Sequence, residues 1–167
     1  MLTNLFKEII SLNWLRLVSL SILFQLSMLS ATAQTATKGE VETTKAIESL
    51  NKELEAAFNA NDMMKVAAFY TDDAEISGKG FSVKGRANID NYWNSLKDKG
   101  RGWKLSIKEL GGRGDLVFQL GTSDLKHLRN EAVVTSLTNF IVLWKLQPDG
   151  SYKIFKDYLI TTRLNNE

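Results

Sequence analysis

The 167-residue chain has no cysteine, one histidine (His127) and one proline (Pro148). Without cysteine it can form no disulfide, thiolate metal site or cysteine nucleophile, and it cannot carry a lipid on a cysteine. A single histidine excludes any metal site that needs two, and His127 lies in a charged stretch typical of a solvated surface. The sequence also has no Ser-His-Asp set, glycine-rich phosphate loop or metal-ligand cluster, so we expect no metal and no cofactor.

The first 33 residues have the pattern of a secretory signal peptide. Lys7 and Arg16 give a positively charged start, and residues 17–29 form an apolar run too short to span a bilayer comfortably. Ala31 and Ala33 are small residues at the positions that a signal peptidase reads. We predict cleavage after Ala33 and export to the periplasm or the medium, with membrane contact only through this segment before cleavage. An uncleaved N-terminal anchor is the alternative.

The charge of the mature chain is close to neutral. Loss of Lys7, Arg16 and Glu8 lowers the 21 basic and 19 acidic residues to 19 and 18, a net charge of +1. Such a chain has no general attraction to a polyanion, so we expect neither nucleic acid nor an anionic surface as its partner.

Hydrophobic periodicity predicts helices followed by strands. After a flexible lead-in at 34–42, we predict one domain over residues 43–163. Apolar residues at helical spacing indicate a helix that contains Ile47, a second helix capped by Asp62, and a third over 87–96. From Trp103 the period changes to two, as in strands, and the polar residues 123–131 are predicted as a hairpin loop. The other predicted strands are 74–77, 81–83, 116–122, 132–146 and 151–162.

This order of elements indicates an α+β fold, with the helices on one face of a curved antiparallel sheet. The strand at 132–146 is apolar on both alternating sets of residues, so both of its faces are expected to be buried. The helices can cover one face, and a second copy of the chain is the simplest cover for the other. We therefore predict a homodimer that packs through the sheet.

Several motifs occur in a characteristic order: FNAND, AAFYTDDAEI, a Gly85-Arg86 turn before a helix with Tyr92-Trp93, GDLVFQLG, and LWKLQPDGSYKIFKDYL. Over about residues 43–162 they resemble the ketosteroid-isomerase-like group of the NTF2-like superfamily, and most closely its SnoaL-like, DUF4440-type members. The resemblance implies an NTF2-like cone, with three N-terminal helices packed on a curved antiparallel sheet, a pocket between them, and often a homodimer. It implies no single function, because the superfamily contains isomerases, cyclases, hydratases and non-catalytic domains.

The catalytic residues of steroid-isomerising relatives do not carry over to this chain. Their carboxylate base would fall at Gly78 or its neighbours, none of which has a carboxylate. Their tyrosine donor on the first helix would fall at Leu54, and their second donor, an acid, near Asn139 or Phe140. Without a base and donors, proton abstraction next to a carbonyl lacks its catalytic groups, so we predict no isomerase activity of this kind.

Asp157 is the strongest candidate for a functional carboxylate. In the last predicted strand it shares a face with Phe155 and Leu159, and a carboxylate on an apolar face is costly unless it is bonded. The resemblance implies an acid here that faces the cavity in many relatives. The functional interpretation is a ligand-binding or acid–base group with a raised pKa. The structural interpretation is a hydrogen bond to a neighbouring strand or to a tryptophan N–H.

Four more residues complete the predicted ligand site. Tyr70, Trp93 and Trp103 are first of all core residues, but they are the large side chains nearest the place where the resemblance puts the mouth of the pocket. Asn139 either orients a ligand carbonyl or pairs with Asp157 across the sheet.

Three functions remain open from the sequence. The domain binds a small apolar or amphipathic molecule in its cone, without isomerase activity. Alternatively, it is a SnoaL-type enzyme, similar to an isomerase, cyclase or hydratase, in which Asp157, with Asn139 or Tyr70, handles a proton on a cyclic substrate. The third possibility is an assembly module without an open cavity, whose sheet face is its interface.

Overall fold

The computed structural model describes residues 38–166, which form three helices and six strands. The helices are α1 (Lys38–Asn59), α2 (Met63–Ala68) and α3 (Arg86–Asn94). The strands are β1 (Tyr70–Gly78), β2 (Phe81–Lys84), β3 (Gly100–Arg113), β4 (Leu116–Arg129), β5 (Ala132–Leu146) and β6 (Tyr152–Asn166). No helix in this range is long and apolar enough to cross a membrane. The predicted signal peptide, residues 1–33, lies outside the described residues.

The six strands form one curved, mixed sheet in the order β2-β1-β6-β5-β4-β3. β1 pairs with β6 in parallel, whereas the other neighbouring strands pair antiparallel. The predicted α+β fold with helices on a curved sheet is confirmed. The prediction of an antiparallel sheet is wrong at the β1–β6 pair, because β1 lies beside the last strand on one side as well as beside β2 on the other, and β1 and β6 run in the same direction.

The core lies between the helices and one face of the sheet, which we call the inner face. Its strand residues include Val117, Phe140 and Trp144, all buried. The apolar stripe of α1 covers this face, and α1 contacts both β3 and α2. α2 begins at its predicted cap, since the Asp62 carboxylate accepts a hydrogen bond from the backbone N–H of Lys65 at 3.0 Å.

Several element boundaries differ from the prediction; for example, β1 begins at Tyr70 instead of residue 74, and β6 ends at Asn166 instead of residue 162. Residues 38–42, expected in a flexible lead-in, belong to α1. The expected hairpin loop at 123–131 is mostly strand: β4 pairs with β5 as far as Arg129, and only Asn130 and Glu131 turn the chain, with φ of 50° and 65°. Backbone pairing in a long hairpin does not need apolar side chains, so a polar run can continue a strand.

A β-bulge at Phe155 changes which residues of β6 face the core. Lys156 pairs with Leu143 and Ile154 pairs with Trp144, so the register skips Phe155. An extra residue in one strand breaks the alternation of faces. Ile154 and Asp157 are therefore both buried although they are three residues apart. The expectation that Asp157 shares a face with Phe155 is wrong, since that ring contacts the ammonium groups of the outward Lys145 and Lys156.

Candidate functional site

A cavity of about 80 Å³ lies between the helices and the inner face of the sheet. Most of its lining is aromatic or aliphatic, and every helix except α2 contributes to it. Four of the five predicted site residues line it, namely Tyr70, Trp93, Trp103 and Asp157. The structure therefore brings together residues from β1, α3, β3 and β6 that are far apart in sequence.

Asp157 lies on the cavity wall with 9% of its surface exposed. The Tyr70 hydroxyl donates a hydrogen bond to its Oδ2 at 2.9 Å. Burial raises the pKa of Asp157 to about 6, and the hydrogen bond from Tyr70 opposes part of that rise. The bonded partner is thus a tyrosine on the neighbouring strand β1, as one of the structural alternatives predicted, and it is not a tryptophan.

Tyr70 is held in place from both its side chain and its backbone. The Arg86 guanidinium, at the start of α3, donates to the carbonyl oxygens of Tyr70 at 3.1 Å and Ala67 at 2.8 Å. This clamp fixes the point where α2 ends and β1 begins. Burial and the neighbouring Asp157 carboxylate raise the pKa of Tyr70 well above its ordinary value of 10.0. Tyr70 therefore remains a neutral donor at physiological pH.

An aromatic cluster forms the wall next to Asp157. The ring of Trp93 lies 6.0 Å from that of Tyr70, 5.3 Å from that of Tyr92 and 5.3 Å from that of Trp103, between centroids. Burial, with a contribution from Asp157, raises the pKa of Tyr92 to about 12. The buried indole N–H of Trp93 makes no hydrogen bond of acceptable geometry, although it is near enough to Tyr70 to lower that phenol's pKa slightly.

Two polar side chains that were not predicted from the sequence, Asn51 and Gln119, also line the cavity. Gln119 and Asn51 exchange two amide hydrogen bonds, each of 3.0 Å, and the Trp144 indole N–H donates to Gln119 Oε1 at 2.9 Å. Asn51 also donates to the carbonyl oxygen of Ile47 at 2.8 Å. The sequence contained a signal for both residues. Asn51 lies four residues after buried Ile47 on the apolar stripe of α1, and Gln119 lies two residues after buried Val117, on the same face of β4.

Contacts between α1 and β3 position Trp103 and Leu105, which line the cavity. Asn59 at the end of α1 binds the backbone of Trp103 in both directions, and the Glu55 carboxylate accepts from the backbone N–H of Leu105 at 2.5 Å. The Trp103 indole N–H in turn donates to Ser123 Oγ at 2.7 Å. Half-buried Trp103 is therefore held in the cavity wall through both its backbone and its indole N–H.

Asn139 does not join the other predicted site residues. Its side chain is exposed on the outer face, where it donates to Thr161 Oγ1 at 2.8 Å and accepts from Lys108 Nζ at 3.1 Å. It neither lines the cavity nor bonds Asp157, whose partner across β5 is Val142. His127 is also placed differently from expectation: it is half-buried in β4, with Nε2 3.0 Å from Ser136 Oγ.

The arrangement can bind a ligand and can hold or move one proton at Asp157. Among residues 38–166, no group of three or more histidine or acidic side chains could hold a metal ion. Gly78 and Leu54, which occupy the positions of the base and tyrosine donor of isomerising relatives, have no polar side chain, and Leu54 is part of the cavity wall.

The helices and the curved mixed sheet around this cavity define an NTF2-like cone. The SnoaL-like domain matches residues 52–154, more than half of the chain, so the protein belongs to the SnoaL-like domain family. This confirms the family that the sequence motifs suggested. A search of curated proteins gives no match.

Solved structures show the same fold at low sequence identity. A ketosteroid isomerase-like protein from Erwinia carotovora atroseptica is 21% identical, with a TM-score of 0.61 over 70% of this chain and 93% of that one. An NTF2-like protein with a cystatin-like fold from Novosphingobium aromaticivorans is 16% identical, with a TM-score of 0.61 over 72% and 82%. A provisionally assigned scytalone dehydratase from that organism is 16% identical, with a TM-score of 0.64 over 79% and 92%.

Proposed function

We propose that the domain binds a small, compact amphipathic molecule in the cavity under its helices. The observation that carries this proposal is a mostly apolar cavity with one buried carboxylate, Asp157, which accepts a side-chain hydrogen bond only from Tyr70 among the described residues. Small-molecule sites in proteins are mostly apolar, with a few polar groups that fix orientation. A pure assembly module would need neither the cavity nor the carboxylate.

The size of the cavity limits the ligand. An apolar cavity of about 150 Å³ holds one benzene molecule, whereas this cavity measures about 80 Å³. A molecule with a single small ring therefore needs a modest displacement of the lining, several of whose side chains, such as Leu105 and Leu125, are only half-buried. A fused polycyclic ligand would need far more rearrangement.

Binding can be tested with cyclopentanol as a probe in ligand-observed NMR. Val142→Phe places a ring in the cavity, because Val142 is buried in its lining. Ile141→Phe adds the same bulk one residue away on the outer face of β5 and is the matched control. We expect binding to the wild type and to Ile141→Phe, and its loss in Val142→Phe. Equal binding by all three proteins would place the probe elsewhere and refute the proposal.

A second candidate function, acid–base catalysis on a cyclic substrate, is favoured by Asp157 itself. A carboxyl group whose pKa is raised to about 6 can accept and return a proton near neutral pH. The solved neighbour provisionally assigned as a dehydratase makes such chemistry reasonable within this fold. In this candidate, Asp157 takes the proton and Tyr70 keeps the carboxylate oriented.

Exchange of the α-hydrogens of cyclopentanone in D₂O tests this candidate directly. If Asp157 acts as a base, the wild type accelerates exchange and Asp157→Asn does not, while cyclopentanone still binds both proteins. Absence of any acceleration by the wild type would reject this chemistry and leave binding as the function.

We also propose that two copies pack through the outer face of the sheet. This face leaves Leu137 and Tyr158 exposed by 38% and 40%, and the neighbouring Ile160 by 53%. Tyr158→Lys should then shift the protein from dimer to monomer in size-exclusion chromatography with light scattering. Ser49→Lys, on the exposed side of α1, is the control. A wild-type monomer at all concentrations would refute the dimer.

Export is the remaining proposal, and it depends on residues 1–33. The basic start, short apolar run and small residues before the cleavage point support it. Mass spectrometry of the protein purified from a bacterial periplasm should find a chain that begins at Gln34. An intact chain that stays with the membrane fraction would favour the uncleaved anchor.

A further inference from the structure

Asp157 is a buried carboxylate without a positively charged partner. Arg86 and Lys156 form ion pairs with other carboxylates, namely those of Asp90 and Glu75. The sequence neighbour Lys156 directs its ammonium group to Glu75 at 2.7 Å, away from the cavity. A buried charge normally has a partner of opposite sign, because its lost hydration is otherwise uncompensated. One hydrogen bond from Tyr70 compensates only part of the hydration that the carboxylate loses on burial.

The wall next to this carboxylate is built from aromatic rings. Tyr70, Tyr92, Trp93 and Trp103 all line the cavity, with neighbouring ring centroids 5.3 to 6.0 Å apart. Aromatic rings attract cations through the negative potential of their faces, and several rings together form the usual recognition site for ammonium groups. The carboxylate and the rings thus favour the same sign of ligand charge.

Most of the other polar side chains of the cavity are hydrogen-bonded, whereas the buried indole N–H of Trp93 has no acceptor. Gln119 and Asn51 are joined by two hydrogen bonds, Ser123 accepts from Trp103, and Thr138 bonds Thr162 at 3.0 Å. Asp157 is therefore the lining residue whose charge is least compensated by its neighbours. An anionic ligand would be repelled by Asp157, since none of the lysine, arginine or histidine residues between positions 38 and 166 lines the cavity.

We propose that the ligand of this cavity is a small organic cation, a primary amine or a quaternary ammonium compound, whose charged head lies against Asp157 within the ring of aromatic side chains. This inference rests on the proposed binding function and names its ligand class. A trimethylammonium head is about as large as a single small ring, so it needs the same modest displacement of the lining.

Choline and 3,3-dimethylbutan-1-ol provide a matched pair of probes, because they have the same shape and differ in whether the branched atom is a charged nitrogen or a neutral carbon. The affinity of the wild type for each is measured by calorimetry at pH 7.5. We expect choline to bind at least about tenfold more tightly, the range of desolvated cation–π contacts and ion pairing. Equal affinities, or tighter binding of the alcohol, would overturn the inference while leaving the binding function intact.

Asp157→Asn removes the charge with almost no change of shape and should abolish the preference for choline while retaining the alcohol. Asp72→Asn removes the same charge from an exposed position of β1 and should leave the preference unchanged. A preference for choline that survives in Asp157→Asn would refute the assignment to this carboxylate. If neither probe binds the wild type, this inference and the proposed function both fail.

A measurement on the wild type alone provides a second test. The other titratable side chains of the lining, Tyr70 and Tyr92, stay neutral because their pKa values are raised. Choline affinity should therefore fall about tenfold per pH unit below the pKa of Asp157, which is about 6. Saturating choline should lower that pKa, as followed by carboxyl NMR. An unchanged pKa with choline bound would show that the cation lies elsewhere.

Discussion

Replacement of Asp157 by asparagine is expected to stabilise the folded protein at neutral pH. Asparagine fills the same space, and its carbonyl oxygen can still accept the hydrogen bond that Tyr70 donates at 2.9 Å. What is lost is a charge that the folded state buries. The pKa of Asp157 rises from an ordinary 3.8 to about 6 on folding. At about 1.36 kcal/mol per pKa unit, the ionised carboxylate lowers the free energy of unfolding by about 3 kcal/mol.

The pH dependence has a definite sign. Because the folded state binds the Asp157 proton more tightly than the unfolded state, its contribution to stability is complete below pH 3.8 and is lost as the pH rises through about 6. Asparagine does not titrate. The stability difference between Asp157→Asn and the wild type should therefore be near zero at about pH 3.5 and reach about 3 kcal/mol at pH 7.5. Carboxylates with lowered pKa values, such as Glu75, act in the opposite direction but cancel in this difference.

Urea unfolding followed by tryptophan fluorescence across this pH range measures the difference directly. Asp72→Asn is the control and should show no such trend, because its carboxylate is exposed. The reasoning would be refuted if Asp157→Asn were less stable than the wild type at pH 7.5, or if the difference did not change with pH. Either result would mean that the folded state already compensates the charge.

Three further predictions concern the core and the helix cap. Gln119→Leu should lower the free energy of unfolding by about 3 kcal/mol, because the buried indole N–H of Trp144 loses its acceptor. Gly121→Ala should cost about 1–3 kcal/mol, since a Cβ there would lie 2.5 Å from the Phe140 ring and 2.7 Å from a backbone oxygen. Asp62→Ala should cost about 1 kcal/mol by removing the cap of α2. Urea unfolding at pH 7 measures each.

Each of these changes has a matched control. Gln147→Leu removes an amide from a turn and should have little effect. Gly39→Ala meets no atom within 4 Å and, being inside a helix, should stabilise slightly. Asp62→Asn retains a capping oxygen. A variant that behaves like its control would show that the named contact does not contribute to stability.

Local patterns in the sequence predict most of the elements, and contacts between distant segments account for the errors. The stripe of α1 and the Asp62 cap are local and were predictable. The parallel pairing of β1 with β6 joins segments about 80 residues apart, so no pattern within either segment predicts it. The bulge at Phe155 likewise depends on how β5 and β6 fit, so alternation alone misplaces Phe155 relative to Asp157.

The residues of the candidate site were also predictable individually, whereas the contacts between them were not. Asp157, Tyr70, Trp93 and Trp103 could be proposed from the family resemblance and from their chemistry, although the bond between Tyr70 and Asp157 could not. Asn139 could have been excluded from the cavity, because it alternates with Phe140, which faces the core. An isolated amide in an apolar strand suggests a functional role. Whether its side chain can reach the cavity, however, depends on which face of the strand that residue occupies.

The position of β6 has a consequence for synthesis of the protein. This strand is the last of the described elements, but it lies between β1 and β5 in the middle of the sheet and supplies Asp157. While the ribosome is still making residues 152–166, the emerging polypeptide has a gap where its central strand belongs and cannot close its hydrophobic interior. Loss of residues 154–159, through which β6 pairs with β1, would leave β1 and β2 separated from β5, β4 and β3, with no strand to join the two parts of the sheet.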